Sequence, residues 1–190
     1  MIEPLVTSAG SKEAIQVGTA VIVVVTVFVG YFLWSFVKGA GYEPVPKAIL
    51  GQMIEFSQPG PDRKVYDLGS GFGKILFRVA QTSGATCVGV EVDPVKVWWT
   101  RRQVRVKGLQ GKVTVQKGNL LDADISSADI VFVFLWDGIM QKLKERVLAQ
   151  MKPGSVVVSY YHEFHGWTPE KEDRKAKVYL YRVPTRPASL

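Results

Sequence analysis

The sequence predicts an α/β fold, a mostly parallel sheet with helices on both faces, preceded by one transmembrane helix. Three observations predict it. From residue 64 onward, short apolar runs alternate with longer segments of helical periodicity, the pattern of strands joined by crossover helices. The first run, Val65-Tyr66-Asp67-Leu68, stops at glycines on alternate positions, Gly69, Gly71 and Gly73, and a helical pattern follows at once. Ahead of all this, residues 17–37 carry no charged side chain.

Residues 1–16 are a short tail of mixed character. The run at 17–37 spans about 30 Å at helical rise, the thickness of a bilayer's hydrocarbon core. Valine is a mediocre helix former in water, but in lipid the backbone must bond to itself, so a lone span is helical. Tyr31 and Trp34 fall near its C-terminal end, where interfacial aromatics belong. A cleaved signal peptide is the competing reading. Its apolar core is shorter, about 7–15 residues, and Lys38-Gly39-Ala40-Gly41 fits a cleavage site poorly. Lys38, Lys47, Arg63 and Lys64 outnumber the basic groups on the N-terminal side, Lys12 and the α-amine. That bias places the C-terminal domain in the cytoplasm.

Residues 38–63 form a linker and an N-terminal segment. Gly39-Ala40-Gly41 is a hinge, and Tyr42-Glu43-Pro44-Val45-Pro46 is extended because each proline drives its predecessor out of the helical region. Residues 47–56 show helical spacing before a Pro-Gly-Pro turn. The domain at 64–190 then reads as strands at 64–68, 86–92, 112–117, 129–135, 155–161 and 177–182. Helices fall at 74–82, 94–107 and 137–151. The last strand has no helix after it and can insert antiparallel. The lone cysteine, Cys87, sits in an expected buried strand, which excludes an internal disulfide and a zinc cluster.

Strand, glycine-rich turn and helix aim backbone N–H groups at a ligand, although an ordinary turn also uses glycine. Glu91 ends the next apolar run about twenty residues on, where an acid accepts ribose hydroxyls. Lys74 occupies the third-glycine position of the dinucleotide fingerprint, so that reading fails. An acid followed by G-x-G-x-G, with a second acid after the next strand, resembles the S-adenosyl-L-methionine (SAM) site of Rossmann-like class I methyltransferases. After the third strand, Asn119 either pairs with adenine, with Leu120 beside the ring, or caps a turn. Methyl transfer from a sulfonium is chiefly a positioning problem, so no metal is expected. Trp136 and Asp137 follow the fourth strand, on the side where substrates bind. The stretch 160–169 after the fifth strand holds both histidines among aromatic residues.

Tyr42-x-Pro44-x-Pro46, the glycine motif with Asp67, Val88-Gly89-Val90-Glu91, Gly118-Asn119-Leu120-Leu121-Asp122, Val156-Val157-Val158-Ser159, Gly166-Trp167-x-Pro169 and Val178-Tyr179-Leu180-Tyr181 occur in this order. Together they resemble the small protein-lysine methyltransferases of archaea and, with an added membrane segment, of mitochondria. The resemblance covers about residues 42–183. It implies that the segment at Tyr42 closes over SAM, and that Gly69, Ser70, Gly71, Glu91 and Asn119 bind it; Asp67, Gly73 and Leu120 join the candidate site by their places at the strand end, in the glycine turn and beside Asn119. It also implies a protein lysine as acceptor, membrane-embedded targets in reach of the anchor and, in a eukaryote, the inner mitochondrial membrane. Phe72 and Lys74 stand where the family usually has Asp and Arg, and Val45 where it has Thr.

A lysine acceptor must lose its proton, at about 4–5 kcal/mol at pH 7. Trp136, Tyr160, Tyr161 and Trp167 could form a desolvating channel, with Glu163 or His162 taking the proton through water. Asp137 belongs to the same candidate catalytic group. The alternatives are a methyltransferase of a quinone or phospholipid headgroup and a non-catalytic SAM-binding module. The net charge of +7 fits an anionic neighbour, but no nucleic-acid motif accompanies it. The acid-free basic stretch at 101–117, preceded by Trp98 and Trp99, is either a solvated face or a contact with anionic lipid.

Overall fold

The chain divides into two units, Met1–Gly41 and Tyr42–Leu190, seen in a computed structural model that describes residues 8–38 and 44–185. The first unit is one helix, α1 (Ser8–Lys38). It begins well before the charge-free run because Ala9, Lys12, Glu13, Ala14 and Gln16 are all good helix formers. Lys12–Tyr31 has a mean hydropathy of 2.1, and its valines and Phe28 are exposed. By length and composition it can cross a membrane. Thr19, in the apolar stretch, donates its hydroxyl to the Ile15 carbonyl at 2.8 Å, so the span carries that polar group without an outside partner. The expected hinge at 39–41, Tyr42 and the side chain of Trp34 lie outside the described residues.

The second unit runs α2 (Lys47–Ser57), β1 (Lys64–Leu68), α3 (Lys74–Ser83), β2 (Thr86–Glu91), α4 (Pro94–Val106), β3 (Val113–Lys117), a 3-10 turn (Leu120–Asp122), β4 (Ile130–Val133), α5 (Asp137–Gln150), β5 (Val156–Tyr160), β6 (Lys171–Asp173) and β7 (Val178–Arg182). The sheet order is β3-β2-β1-β4-β5-β7-β6. β1 to β5 are parallel to their neighbours, and β7 enters antiparallel to β5 and β6. Strand order reverses between β1 and β4, so the crevice at their carboxyl ends is where a ligand belongs.

Alternation along the strands builds two cores. Val65, Cys87, Phe132 and Val158 face α2, α3 and α4, where Met53, Leu76, Val79 and Val97 cover them. Tyr66, Val88, Val131, Val157 and Tyr181 face the other way, against Met140, Leu143 and Val147 of α5. The described core residues all lie between 45 and 183, so this unit contains its whole core. Burial, and secondarily the carboxyl of Asp67, push the Cys87 thiol up to about 12, which leaves it unreactive.

β6 departs from the sequence-based expectation of a loop between the last two strands. Lys171-Glu172-Asp173 has no β-forming residue. Pairing with β7 extends it, a bond from Gln52 to Asp173 at 2.7 Å ties it to α2, and its charges suit a sheet edge.

Gly89 marks the tightest approach of helix to sheet. A Cβ there would lie 2.5 Å from Leu76 Cδ1 and 2.7 Å from Ser70 Oγ. Gly89→Ala should therefore lose about 1–3 kcal/mol to overpacking, whereas Gly60→Ala, with nothing within 4 Å, should be nearly neutral. Equal melting temperatures for the two variants would contradict this packing.

Candidate active site

The turn after β1 takes its shape from three glycines in the left-handed region, Gly69 (φ 86°), Gly71 (52°) and Gly73 (77°), where a side chain would be strained. The end of β2 holds the turn in place. The Val90 carbonyl accepts from the Gly69 and Ser70 N–H groups at 2.9 and 3.1 Å. Glu91 Oε2 accepts from the Gly71 N–H at 2.8 Å, and its Oε1 accepts from the Asp93 N–H at 2.9 Å. Asp93 in turn caps α4 through the Val95 and Lys96 N–H groups. Glu91 thus shapes the loop, a role its spacing did not reveal, and each oxygen keeps a second acceptor site.

Several features fit a nucleoside cofactor. Ser70 Oγ is buried with no hydrogen-bond partner, and a Cβ on Gly69 would meet Leu135 at 3.2 Å and Leu120 at 4.0 Å. Leu120 therefore stands over the glycine turn. Asn119 caps the 3-10 turn, its Oδ1 accepting from the Leu121 N–H at 3.1 Å, which leaves the amide NH₂ for a ring nitrogen. Asp67 is buried in the strand beneath. Burial first, and repulsion from Glu91 second, push its carboxyl up to about 8, so it holds a proton at neutral pH. The Lys74 ammonium donates to the Val45 carbonyl and ties the incoming segment to the first turn of α3. Two of the positions at which the sequence is expected to differ from the family it resembles thus meet each other.

At the ends of β4 and β5, rings follow one another. Phe134 and Tyr160 lie 4.7 Å apart, Tyr160 and Tyr161 6.2 Å, Tyr161 and His162 5.0 Å, and His162 and Trp136 6.3 Å. Trp136 is 59% exposed. Trp167 stands apart from this chain of rings, packed on Phe164 and Tyr181. Asp137 Oδ1 lies 3.1 Å from His165 Nε2 and accepts from Gln141 at 3.2 Å. Gln141 also donates to the Glu163 carbonyl and accepts from the His165 N–H. The start of α5 thereby holds the loop after β5. Burial first, and the nearby Glu163 carboxylate second, hold the Tyr179 hydroxyl above its usual range.

Lys177 is a site residue the sequence did not single out. Tyr161 (φ 74°) and Lys177 (φ 54°) both adopt left-handed backbone, the Tyr161 N–H donates to the Lys177 carbonyl at 2.8 Å, and Lys177 Nζ sits 3.6 Å from the Tyr161 ring centroid. Strained backbone of this kind gathers at functional sites. Among the described residues, no cluster of histidine, cysteine or carboxylate could hold a metal.

A glycine turn at the switch point, sewn to an acidic residue of the next strand under an antiparallel β7, defines a class I SAM-dependent methyltransferase. Residues 67–171 match the ANTKMT methyltransferase domain, and the chain belongs to that family. It is 33% identical over 156 residues to a protein-lysine N-methyltransferase of Saccharolobus islandicus, covering 78% of this chain and 97% of that enzyme. It is 25% identical over 149 residues to the adenine nucleotide translocase lysine N-methyltransferase of Mus musculus, covering 73% of this chain and 65% of that one. A Salinibacter ruber structure described as an RNA methyltransferase in complex with S-adenosyl-L-homocysteine superposes with a TM-score of 0.73 at 35% identity, covering 78% of this chain and 99% of that chain. The cofactor is SAM.

Glu91→Gln should weaken SAM binding by about 1–3 kcal/mol in calorimetry, because a charged acceptor is lost; unchanged affinity in a folded variant would remove Glu91 from the site. Asp67 gives a pH test. Its carboxyl titrates near 4 in an unfolded chain and about 8 in the fold. The folded state therefore binds the extra proton, and that contribution to stability is full below pH 4 and lost as pH rises through 8. Relative to Asp67→Asn, the native protein should lose stability across this window in denaturant titrations. A constant difference between the two would contradict the buried acid.

Proposed function

We propose that the protein transfers a methyl group from SAM to the ε-amine of a lysine in a protein substrate, and that residues 17–37 hold it at a membrane. One observation carries the acceptor assignment: at the end of β5, Tyr161 already bears an alkylammonium, that of Lys177. A ring face that accepts one lysine side chain suits another. The lysine N-methyltransferase activities of the Saccharolobus and mouse relatives support the same reading.

When bound, SAM supplies an activated methyl group, so the protein's task is to position and deprotonate the amine. The Tyr161 face positions the incoming side chain, and Trp136 and His162 beside it would cover the amine from water once substrate is bound, which disfavours its charged form. Asp137 acts as a positioning residue by holding His165 and, through Gln141, the loop that carries those rings. His162, which lies in the ring chain between Tyr161 and Trp136, is placed to receive the proton through water. The domain lies on the cytoplasmic side, or the equivalent side of an inner mitochondrial membrane. A second reading, RNA methylation, has the description of the Salinibacter protein in its favour.

Labelled SAM incubated with the full-length protein and separated protein, RNA and lipid fractions tests the acceptor. The expected result is label on lysine, with a rate that rises with pH as the ammonium deprotonates. Label confined to RNA or lipid would overturn the reading. Trp136→Ala should lower kcat at least tenfold with little change in SAM affinity. For the anchor, deletion of residues 1–38 should leave methylation of soluble proteins unchanged but reduce that of membrane targets at matched abundance; equal methylation by both forms would separate the helix from substrate choice.

A further inference from the structure

α4 turns the wrong residues outward for a helix facing water. Its buried face carries Val97, Thr100 and Val104. Val95, Trp98, Trp99, Arg102, Arg105 and Val106 fall on the opposite side, within an arc of about 120° at helical spacing. Exposure there is 49% for Val95, 63% for Trp98, 41% for Trp99 and 67% for Val106. Large apolar groups gathered on one exposed face mark an interaction site.

The charge around that face has one sign. From residue 94 to 121 there is no Asp or Glu, while Arg101, Arg102, Arg105, Lys107, Lys112 and Lys117 are all present and exposed or partly exposed. Some of these serve the fold: Arg101 donates twice to the Val115 carbonyl, and Lys112 donates to the Gly84 carbonyl. Arg102 and Arg105 make no ion pair among the described residues. β3, which follows α4, is the edge strand of the sheet and ends in the exposed Lys117.

We infer that this face of α4 docks the domain on an anionic lipid surface, with Trp98, Trp99, Val95 and Val106 entering the interfacial layer and Arg102 and Arg105 meeting phosphate groups. Indole rings prefer the depth where headgroups meet acyl chains, and an apolar face flanked by arginine is the composition of an interfacial helix. Other occupants match less of the surface. A second copy would bring cation against cation. A nucleic acid would be served by the arginines and indoles but gains nothing from Val95 and Val106, and a convex helix offers no groove for a strand. The inference concerns the domain alone and does not rest on α1 being a span.

Residues 42–190 are the form to test. They hold the whole described core, and a folded relative of this extent exists, since 99% of the Salinibacter chain is covered. The purified domain is sedimented with vesicles of phosphatidylcholine alone or mixed with phosphatidylserine. Binding should require the anionic lipid and weaken with salt. Arg102→Gln with Arg105→Gln should lower the partition coefficient more than tenfold, at about fivefold per cation removed. Trp98→Ser should lower it severalfold without changing the salt dependence. Lys142→Gln with Lys152→Gln, on α5 and the loop after it, should bind like the native domain, and S-adenosyl-L-homocysteine affinity should be retained in every variant. Failure of the folded domain to bind anionic vesicles overturns the inference. So does native-like binding by the arginine pair, or capture of single-stranded RNA through Arg102 and Arg105 without vesicle binding. Loss of lysine methylation with vesicle binding intact would instead count against the proposed acceptor alone.

Discussion

The site depends on two acceptors at the end of β2. A left-handed glycine turn presents N–H groups that must be satisfied once they are buried. The Val90 carbonyl takes two of them, and the Glu91 carboxylate takes the Gly71 N–H and the Asp93 N–H together. One buried carboxylate therefore fixes the glycine turn and the start of α4 relative to each other. The Thr100 hydroxyl adds a bond to the Gly71 carbonyl at 3.2 Å. Asp67, one strand over and deeper, stays uncharged partly because Glu91 is charged nearby. The two acids so close together are compatible because one keeps its proton.

The side proposed for the acceptor is built differently. There, rings and a loop are held by side chains from α5: Asp137, Gln141 and Lys144 reach across to His165 and the Glu163 carbonyl. Many of these groups are exposed, so each bond contributes little alone. The glycine turn is thus set by buried backbone bonds, and the loop after β5 by a surface network more easily remodelled.

Periodicity made most of the fold legible. Alternation in Val65 to Leu68 and in Val156 to Ser159 marked strands whose two faces meet different helices, and the run at 177–182, read as a strand that can insert antiparallel, is β7. β6 was illegible because pairing, rather than propensity, extends three charged residues. At the site, residue type located the glycine turn, Glu91 and the rings, but partners were hidden. Asn119 could be read as adenine contact or cap, and its oxygen is spent on the cap. Asp137 read as an acceptor-side acid, and the fold gives it His165. Lys177 carried no signal, because its meaning comes from Tyr161, which lies close only through the β5–β7 pairing.

The tie between Lys74 and Val45 has a mechanical consequence. Val45, near the start of the second unit, has a buried side chain, and its carbonyl is gripped by Lys74, the first residue of the helix that follows the glycine turn. The entrance of the domain and the turn that carries the cofactor thus share one ammonium, so a change at either place is passed to the other through a single side chain.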